Sequence, residues 1–134
     1  MMEERYARLL IHAGVNLQPG QCITVIAELG HRDFVRRLTA EAYAAGARYV
    51  DLRWIDPLAA RERYRYTAPE NLDYVPGFEE AWRRELLKEG WARIRLTGEE
   101  YPGALDEVDP GLLRREQEAW SESCLLYTSD AADE

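Results

Sequence analysis

The run Cys22-Ile23-Thr24-Val25-Ile26-Ala27 constrains this chain more than any other segment. It is short, rich in β-branched residues and apolar on both parities. It therefore has no side suited to water and is predicted to be a central strand, buried on both faces of a sheet. A sheet of that kind needs helices to cover it, and the next residues supply one. Over residues 31–45, Phe34, Val35, Leu38, Ala42 and Ala45 share one helical face, and Gly46 stands at the C′ position that ends a helix. A second strand follows over residues 48–54, with Val50, Leu52 and Trp54 on one side. Strand, helix, strand is the βαβ unit of parallel sheets.

The remaining segments fit around that unit. Residues 3–15 carry Tyr6, Leu9, Leu10 and Ala13 at the spacing of one helix face, and Glu3 and Glu4 sit in the first turn, where the helix dipole favours acids. Asn16-Leu17-Gln18-Pro19-Gly20 breaks that helix. Asp56-Pro57 is an N-cap followed by proline at N1, opening a weakly amphipathic helix to about Tyr64. Residues 69–77 read as a linker. Phe78, Ala81, Trp82 and Leu86 define another helix face, closed by Gly90. Residues 92–97 alternate Ala92, Ile94 and Leu96 inward with Arg93, Arg95 and Thr97 outward, as a strand near a sheet edge does. A loop over residues 98–108 leads to Asp109-Pro110, which repeats the cap signal and starts a last helix bearing Leu112, Leu113, Ala119 and Trp120. The expected fold is α/β: a three-layer α/β/α unit around a small, mostly parallel sheet.

Composition narrows the function classes. With 46% hydrophobic and 31% charged residues and only 9 Gly and 6 Pro in 134, the chain matches a globular domain, not a disordered, collagen-like or membrane one. The net charge of −8 argues against nucleic acid or anionic lipid as partners. Cys22 and Cys124 are far apart with no Cys-x-x-Cys, and no secretory or transmembrane pattern is present, which points to the cytoplasm.

Residues able to carry chemistry are sparse. Ligands of open α/β sheets sit past the carboxyl ends of the strands, and Glu28-Leu29-Gly30-His31 occupies that place. One glycine makes no phosphate cradle, and no Gly-Lys-Ser/Thr motif exists. Glu28 and His31 have the Glu-x-x-His spacing of di-metal carboxylate helices, but that geometry needs one helix, so His31 is expected to be a first-turn or capping residue. His12 has no ligand at metal spacing and is expected in a surface or half-buried position. Asp51 and Arg53 point to one face of the second strand and are expected to form an ion pair; Asp56 follows as a cap. Cys22 is expected to be a small buried apolar residue. Arg61-Glu62-Arg63-Tyr64-Arg65-Tyr66 interleaves basic and aromatic residues, as single-strand binders do, but in an acidic chain it reads as a solvated helix face. No catalytic, cofactor-binding or metal residue is assigned.

The last eleven residues, CLLYTSDAADE from Cys124 to Glu134, break the Arg/Glu/Leu/Ala style of the helix before them. They are similar to a sequencing adapter translated in one frame, and are expected to be foreign to the fold. On that basis residues 1–120 form the domain, residues 121–134 are a non-native or disordered tail, and the reading frame is truncated. The apolar side chains Leu112, Leu113, Ala119 and Trp120 would then stay exposed.

Three segments, taken in order, carry a family resemblance. Residues 6–21, YARLLIHAGVNLQPGQ, and residues 38–57, LTAEAYAAGARYVDLRWIDP, resemble the start of the thermophilic metallo-aminopeptidases of the aminopeptidase T and PepS type. Residues 91–113, WARIRLTGEEYPGALDEVDPGLL, resemble that family's strand, loop and helix leading out of its N-terminal domain. The resemblance implies cytoplasmic, homodimeric hydrolases that release N-terminal amino acids from peptides. It implies two divalent metal ions, Zn, Co or Mn, that activate water and polarise the scissile carbonyl. In that family the Glu, His and Asp ligands lie in a C-terminal domain with no counterpart here, so the fragment itself is expected to bind no metal and to be inactive. A small self-contained ligand-binding or regulatory α/β domain is the alternative, and a purely structural domain a third.

Overall fold

The computed structural model describes the backbone of residues 2–133 and the side chains of residues 2–123. Its chain divides into two compact units, Met1–Asp56 with Glu89–Glu100, and Pro57–Lys88 with Tyr101–Glu134.

The first unit holds the sheet. Strands β1 (Cys22–Glu28), β2 (Tyr49–Ile55) and β3 (Ala92–Arg95) lie in the order β2-β1-β3, all parallel. The strand apolar on both parities takes the middle, because only a central strand has both faces and both edges covered by protein. Register aligns Ile23 with Val50 and Ala92, and Val25 with Leu52 and Ile94. One face of the sheet therefore presents Ile23, Val25, Ala27, Val50, Ala92 and Ile94. Helices α1 (Met2–Leu9) and α2 (Arg32–Ala44) pack there through Ala7, Val35, Leu38 and Ala42, with Ile11 and Leu17 from the segment between α1 and β1. Burying each large aliphatic side chain in this cluster contributes about 1.5–3 kcal/mol. The opposite face carries Thr24, fully buried, whose hydroxyl donates to Asp51 Oδ2 at 2.9 Å. That bond removes the penalty of an unpaired buried hydroxyl. An α/β fold on a small parallel sheet is thus what the chain adopts.

Local chemistry explains the joints of this unit. After α1 the helix widens to a π-turn, Leu10–Gly14, and Val15 N–H bonds Leu10 O at 2.9 Å. Asn16 then reverses the chain at φ 49°, a left-handed conformation that asparagine tolerates better than most residues. Gln21 stitches together the entries to all three strands. Its carbonyl accepts the N–H of Arg48 at 2.9 Å ahead of β2, and its side-chain Nε2 donates to Gly90 O at 3.0 Å ahead of β3. Gly46 ends α2 at φ 96°, and its carbonyl accepts the N–H of Gly20 at 2.8 Å.

In the second unit, α3 (Pro57–Tyr66), a 3-10 turn (Pro69–Asp73), α4 (Gly77–Lys88) and α5 (Pro110–Asp133) surround Leu72, Leu86 and Ala104. The stretch expected to be a linker thus contains a helical turn with a fully buried leucine. Polar ties dominate elsewhere. Glu116 of α5 receives bonds from both Arg63 and the Tyr64 hydroxyl of α3, and Arg63 also donates to Asn71 O at 3.0 Å. Burial and the Glu116 carboxylate together push the Tyr64 phenol well above its ordinary range. Arg115 clamps Asp73 with two bonds of 2.6 and 2.7 Å. This guanidinium fork holds the Asp73 carboxyl below its ordinary value of 3.8. Arg83 lies over the Trp120 ring, 5.8 Å from its centroid.

Two expectations are corrected. Leu112, Leu113, Ala119 and Trp120 are half-buried, not exposed, because α5 packs within its own unit on α4 and the 3-10 turn. Leu52 and Trp54 share the side of β2 that carries Val50, as expected, and are 38% and 40% exposed, since among the described residues β2 is an edge strand that α2 covers only in part. Cys22, at the start of β1, is only half-buried. Burial of Leu125, Leu126 and Tyr127, and with it the packing of the adapter-like run, lies outside the described side chains.

A Cβ at Gly46 would meet Pro19 Cα at 3.2 Å and Cβ at 3.3 Å, in a left-handed conformation. Gly46→Ala is expected to lower stability by about 1–3 kcal/mol, read as a reduced midpoint in urea unfolding. Because the Asp73 pKa is depressed on folding, its pair with Arg115 stabilises the protein above pH 3.8 and is lost as pH falls below it. Asp73→Asn is therefore expected to reduce the loss of thermal stability on acidification below that pH, with a small effect at neutrality because the pair is exposed.

Candidate functional site

Parallel strands end together, so the sheet of the first unit creates a crevice past the carboxyl ends of β1 and β3. Glu28 is the last residue of β1, and Leu29–His31 forms a 3-10 turn into α2. Across from it run Gly98, Glu99 and Glu100, just after β3. Glu28 Oε1 accepts the N–H of Glu100 at 3.4 Å, and His31 Nε2 donates to Gly98 O at 3.0 Å. His31 thus ties the two loops together; it stands at the N-cap position of α2, in line with the first-turn or capping place expected for it, but its side chain makes no cap bond to that helix. The crevice between them, of about 300 Å³, is lined by Gly30, His31, Gly98, Glu99 and Glu100.

Glycine is required on one side of this crevice: Gly98 adopts φ 138°, and a Cβ there would lie 3.1 Å from the His31 ring. On the other side a Cβ on Gly30 would stand 2.8 Å from Glu100 Oε2, the far end of a side chain that can swing aside. Beside the crevice, a groove of about 540 Å³ runs between α1, α2 and β3, floored by Ile94 and Leu96 and walled by Leu10, Tyr6 and Phe34. The Tyr6 and Phe34 rings stack with centroids 5.5 Å apart.

The other sequence candidates do not converge here. Glu28 and His31 stand on a strand end and a turn, so their Glu-x-x-His spacing builds no helical ligand pair. His12 lies at the surface, its Nε2 3.9 Å from Glu41 Oε2, and the same carboxylate group receives Arg8 at 3.6 Å. Asp51 accepts from Thr24 in β1, a bond that sequence spacing did not indicate. The basic and aromatic run of α3 is occupied by carboxylates: Arg61 and Arg65 meet Glu62 at 3.6 and 3.0 Å, and Arg63 and Tyr64 meet Glu116. Arg63 and Tyr64 thereby tie α3 to α5, while Arg61 and Arg65 pair within α3.

Glu100 and Gly98 escaped the sequence reading, although the segment after an edge strand's carboxyl end is where crevice residues collect. No nucleophile with a neighbouring base is assembled in the crevice. Among the described residues, no three His, Cys, Asp or Glu side chains lie close enough together to hold a metal ion. No helix of the described residues is long and apolar enough to cross a membrane.

Likeness to known proteins is consistent along the chain. Aminopeptidase AmpS of Bacillus subtilis (strain 168) is 34% identical over 122 residues, which is 91% of this chain and 30% of the relative. Aminopeptidase T of Thermus thermophilus is 34% identical over 116 residues, 87% of this chain and 28% of the relative. Aminopeptidase PepS of Streptococcus thermophilus is 31% identical over 107 residues. The solved structure of wild-type AmpT from Thermus thermophilus superposes with a TM-score of 0.82 at 30% identity, covering 96% of this chain and 33% of that one. The chain therefore spans about 30% of the length of the relatives it matches. Residues 2–133 match the family described as thermophilic metalloprotease (M29), and the chain belongs to that family.

Proposed function

We propose that this chain is the amino-terminal part of a metal-dependent aminopeptidase, a hydrolase that releases N-terminal amino acids from peptides. The observation that carries this is the family match over residues 2–133, to relatives named aminopeptidases of which it spans only about 30%. In this reading residues 1–120 are an N-terminal α/β domain whose role is scaffolding, and residues 121–134 are a non-native or disordered tail, adapter-like over 124–134, although the span of the family match runs across it. The whole enzyme is cytoplasmic and homodimeric and uses two divalent ions, Zn, Co or Mn.

The described residues do not fit those metals. The crevice offers Glu28, Glu99, Glu100 and His31, yet Glu28 is turned to the backbone of Glu100 and His31 to that of Gly98, and no trio reaches ligand spacing. No step of peptide hydrolysis is assigned to them.

The test compares two proteins. This chain, supplied with Zn²⁺, Co²⁺ or Mn²⁺ and dialysed, is expected to retain no stoichiometric metal and to hydrolyse no aminoacyl nitroanilide. The genomic reading frame continued past Ser123 is expected to encode a protein that hydrolyses the same substrates and loses activity on chelation. Tight metal retention or chelation-sensitive turnover by this chain would overturn the scaffold assignment. A continued protein without aminopeptidase activity would overturn the enzyme assignment.

A further inference from the structure

Strand β3 ends the sheet on one side, and among the described residues it pairs with β1 alone. The N–H of Leu96 donates to Ile26 O at 2.9 Å, so Ala92, Ile94 and Leu96 turn their backbone groups to β1. Orientation alternates along a strand, and Arg93, Arg95 and Thr97 therefore present their N–H and C=O groups outward. Arg95 and Thr97 also border the groove of about 540 Å³ that is floored by Ile94 and Leu96 and walled by Tyr6, Leu10 and Phe34. Unused backbone groups and an apolar groove thus lie side by side. That arrangement takes up an extended peptide: main-chain bonds supply affinity, and alternate side chains enter the groove.

Charge on the other face of β3 says which peptide. Arg93 and Arg95 are exposed, and neither has a hydrogen bond or ion pair among the described residues. Their neighbours across the ladder are Thr24 and Ile26 of β1, which offer no carboxylate. A second copy laid on this edge would set arginine against arginine, whereas a strand with acids in those positions is attracted.

We propose that the β3 edge binds an extended peptide, separate from this chain, in which acidic and apolar residues alternate. The peptide runs antiparallel to β3, the more stable pairing per residue. Residues directly opposite one another in such a ladder point to the same face, so acids opposite Arg93 and Arg95 meet the two guanidinium groups. The residues opposite Ile94 and Leu96 then enter the groove, where apolar side chains leave water against Tyr6, Leu10 and Phe34. Glu3 lines that groove on the face away from the acids and is held by Arg37 at 3.6 Å. Past Thr97 the chain itself is acidic, at Glu99 and Glu100, so the run of acids in the peptide stops opposite Arg95. The inference needs nothing from the peptidase reading, because edge, groove and arginines carry it.

Fluorescence anisotropy of the full chain with the acetylated peptide Ser-Val-Glu-Val-Glu, labelled at its carboxyl end, tests it. In the proposed register its serine faces Thr97, its valines face Leu96 and Ile94, and its glutamates face Arg95 and Arg93. Saturable binding at micromolar concentrations is expected. The peptide Ser-Val-Lys-Val-Lys is expected to bind at least about tenfold more weakly. The double variant Arg93→Glu with Arg95→Glu, its folding checked by circular dichroism, is expected to reverse that order. Methylating the backbone nitrogens of the two glutamates, which face β3, is expected to abolish binding, and methylating those of the valines, which face away, to change it by less than about twofold. A chain that does not bind the acidic peptide would overturn the proposal. So would equal affinity for the lysine peptide, or equal effects of the two methylations. Binding by this chain that is lost in the protein continued past Ser123 would give the edge to a later segment of the same protein, and would overturn it as well.

Discussion

Burial of β1 on both faces is the constraint from which the first unit follows. Ile23 and Val25 lie against α1 and α2 on one side, and Thr24 is sealed on the other. A strand with two dry faces must have its backbone fully paired, so it takes a neighbour on each edge, β2 and β3. The single polar side chain fully enclosed there, Thr24, is tolerable only because Asp51 stands beside it in register to accept its hydrogen bond. Had β2 slipped by one residue, that acceptor would face the other side and Val50 would leave the core.

The loops at the amino ends of the strands keep that register. Gln21 bonds to the entries of β2 and β3 at once, and the Gly46 carbonyl at the end of α2 accepts the N–H of Gly20. These are short polar ties at one end of a parallel sheet. The opposite end is looser and more acidic, held by His31 to Gly98 and by Glu28 to Glu100. In parallel α/β sheets the carboxyl end is where function collects, and the division of labour here has that polarity. Yet the carboxylates and the histidine in the crevice are turned to backbone groups. The crevice is consequently a joint between loops.

Much of the candidate site was visible in the sequence, and the part that was not has a definite cause. Glu28 and His31 are legible at the carboxyl end of β1, Glu28 as its last residue and His31 just past it, because strand end and helix start are marked locally by Gly30 and by the change of hydrophobic period. Their partners were missed because Gly98 and Glu100 are contributed by a loop some seventy residues later, and periodicity says nothing about which loop lies opposite. The same holds for Glu116, which reaches Arg63 and Tyr64 across more than fifty residues and gives an apparently solvated helix face a structural task.

By itself the sequence determined the elements and their order: the two-sided strand, the amphipathic α2, the cap signals at Asp56 and Asp109, and the glycine that ends α2. These depend on side-chain period and backbone conformation within a few residues, which neighbours along the chain dictate. Only the tertiary structure decided that β1 lies between β2 and β3, that Leu72 is buried in a stretch without periodicity, and that Leu52 and Trp54 stay partly in water. Each of those outcomes depends on which surfaces meet. Apolar burial is non-directional, so the same pattern of side chains is compatible with several partners until packing selects one.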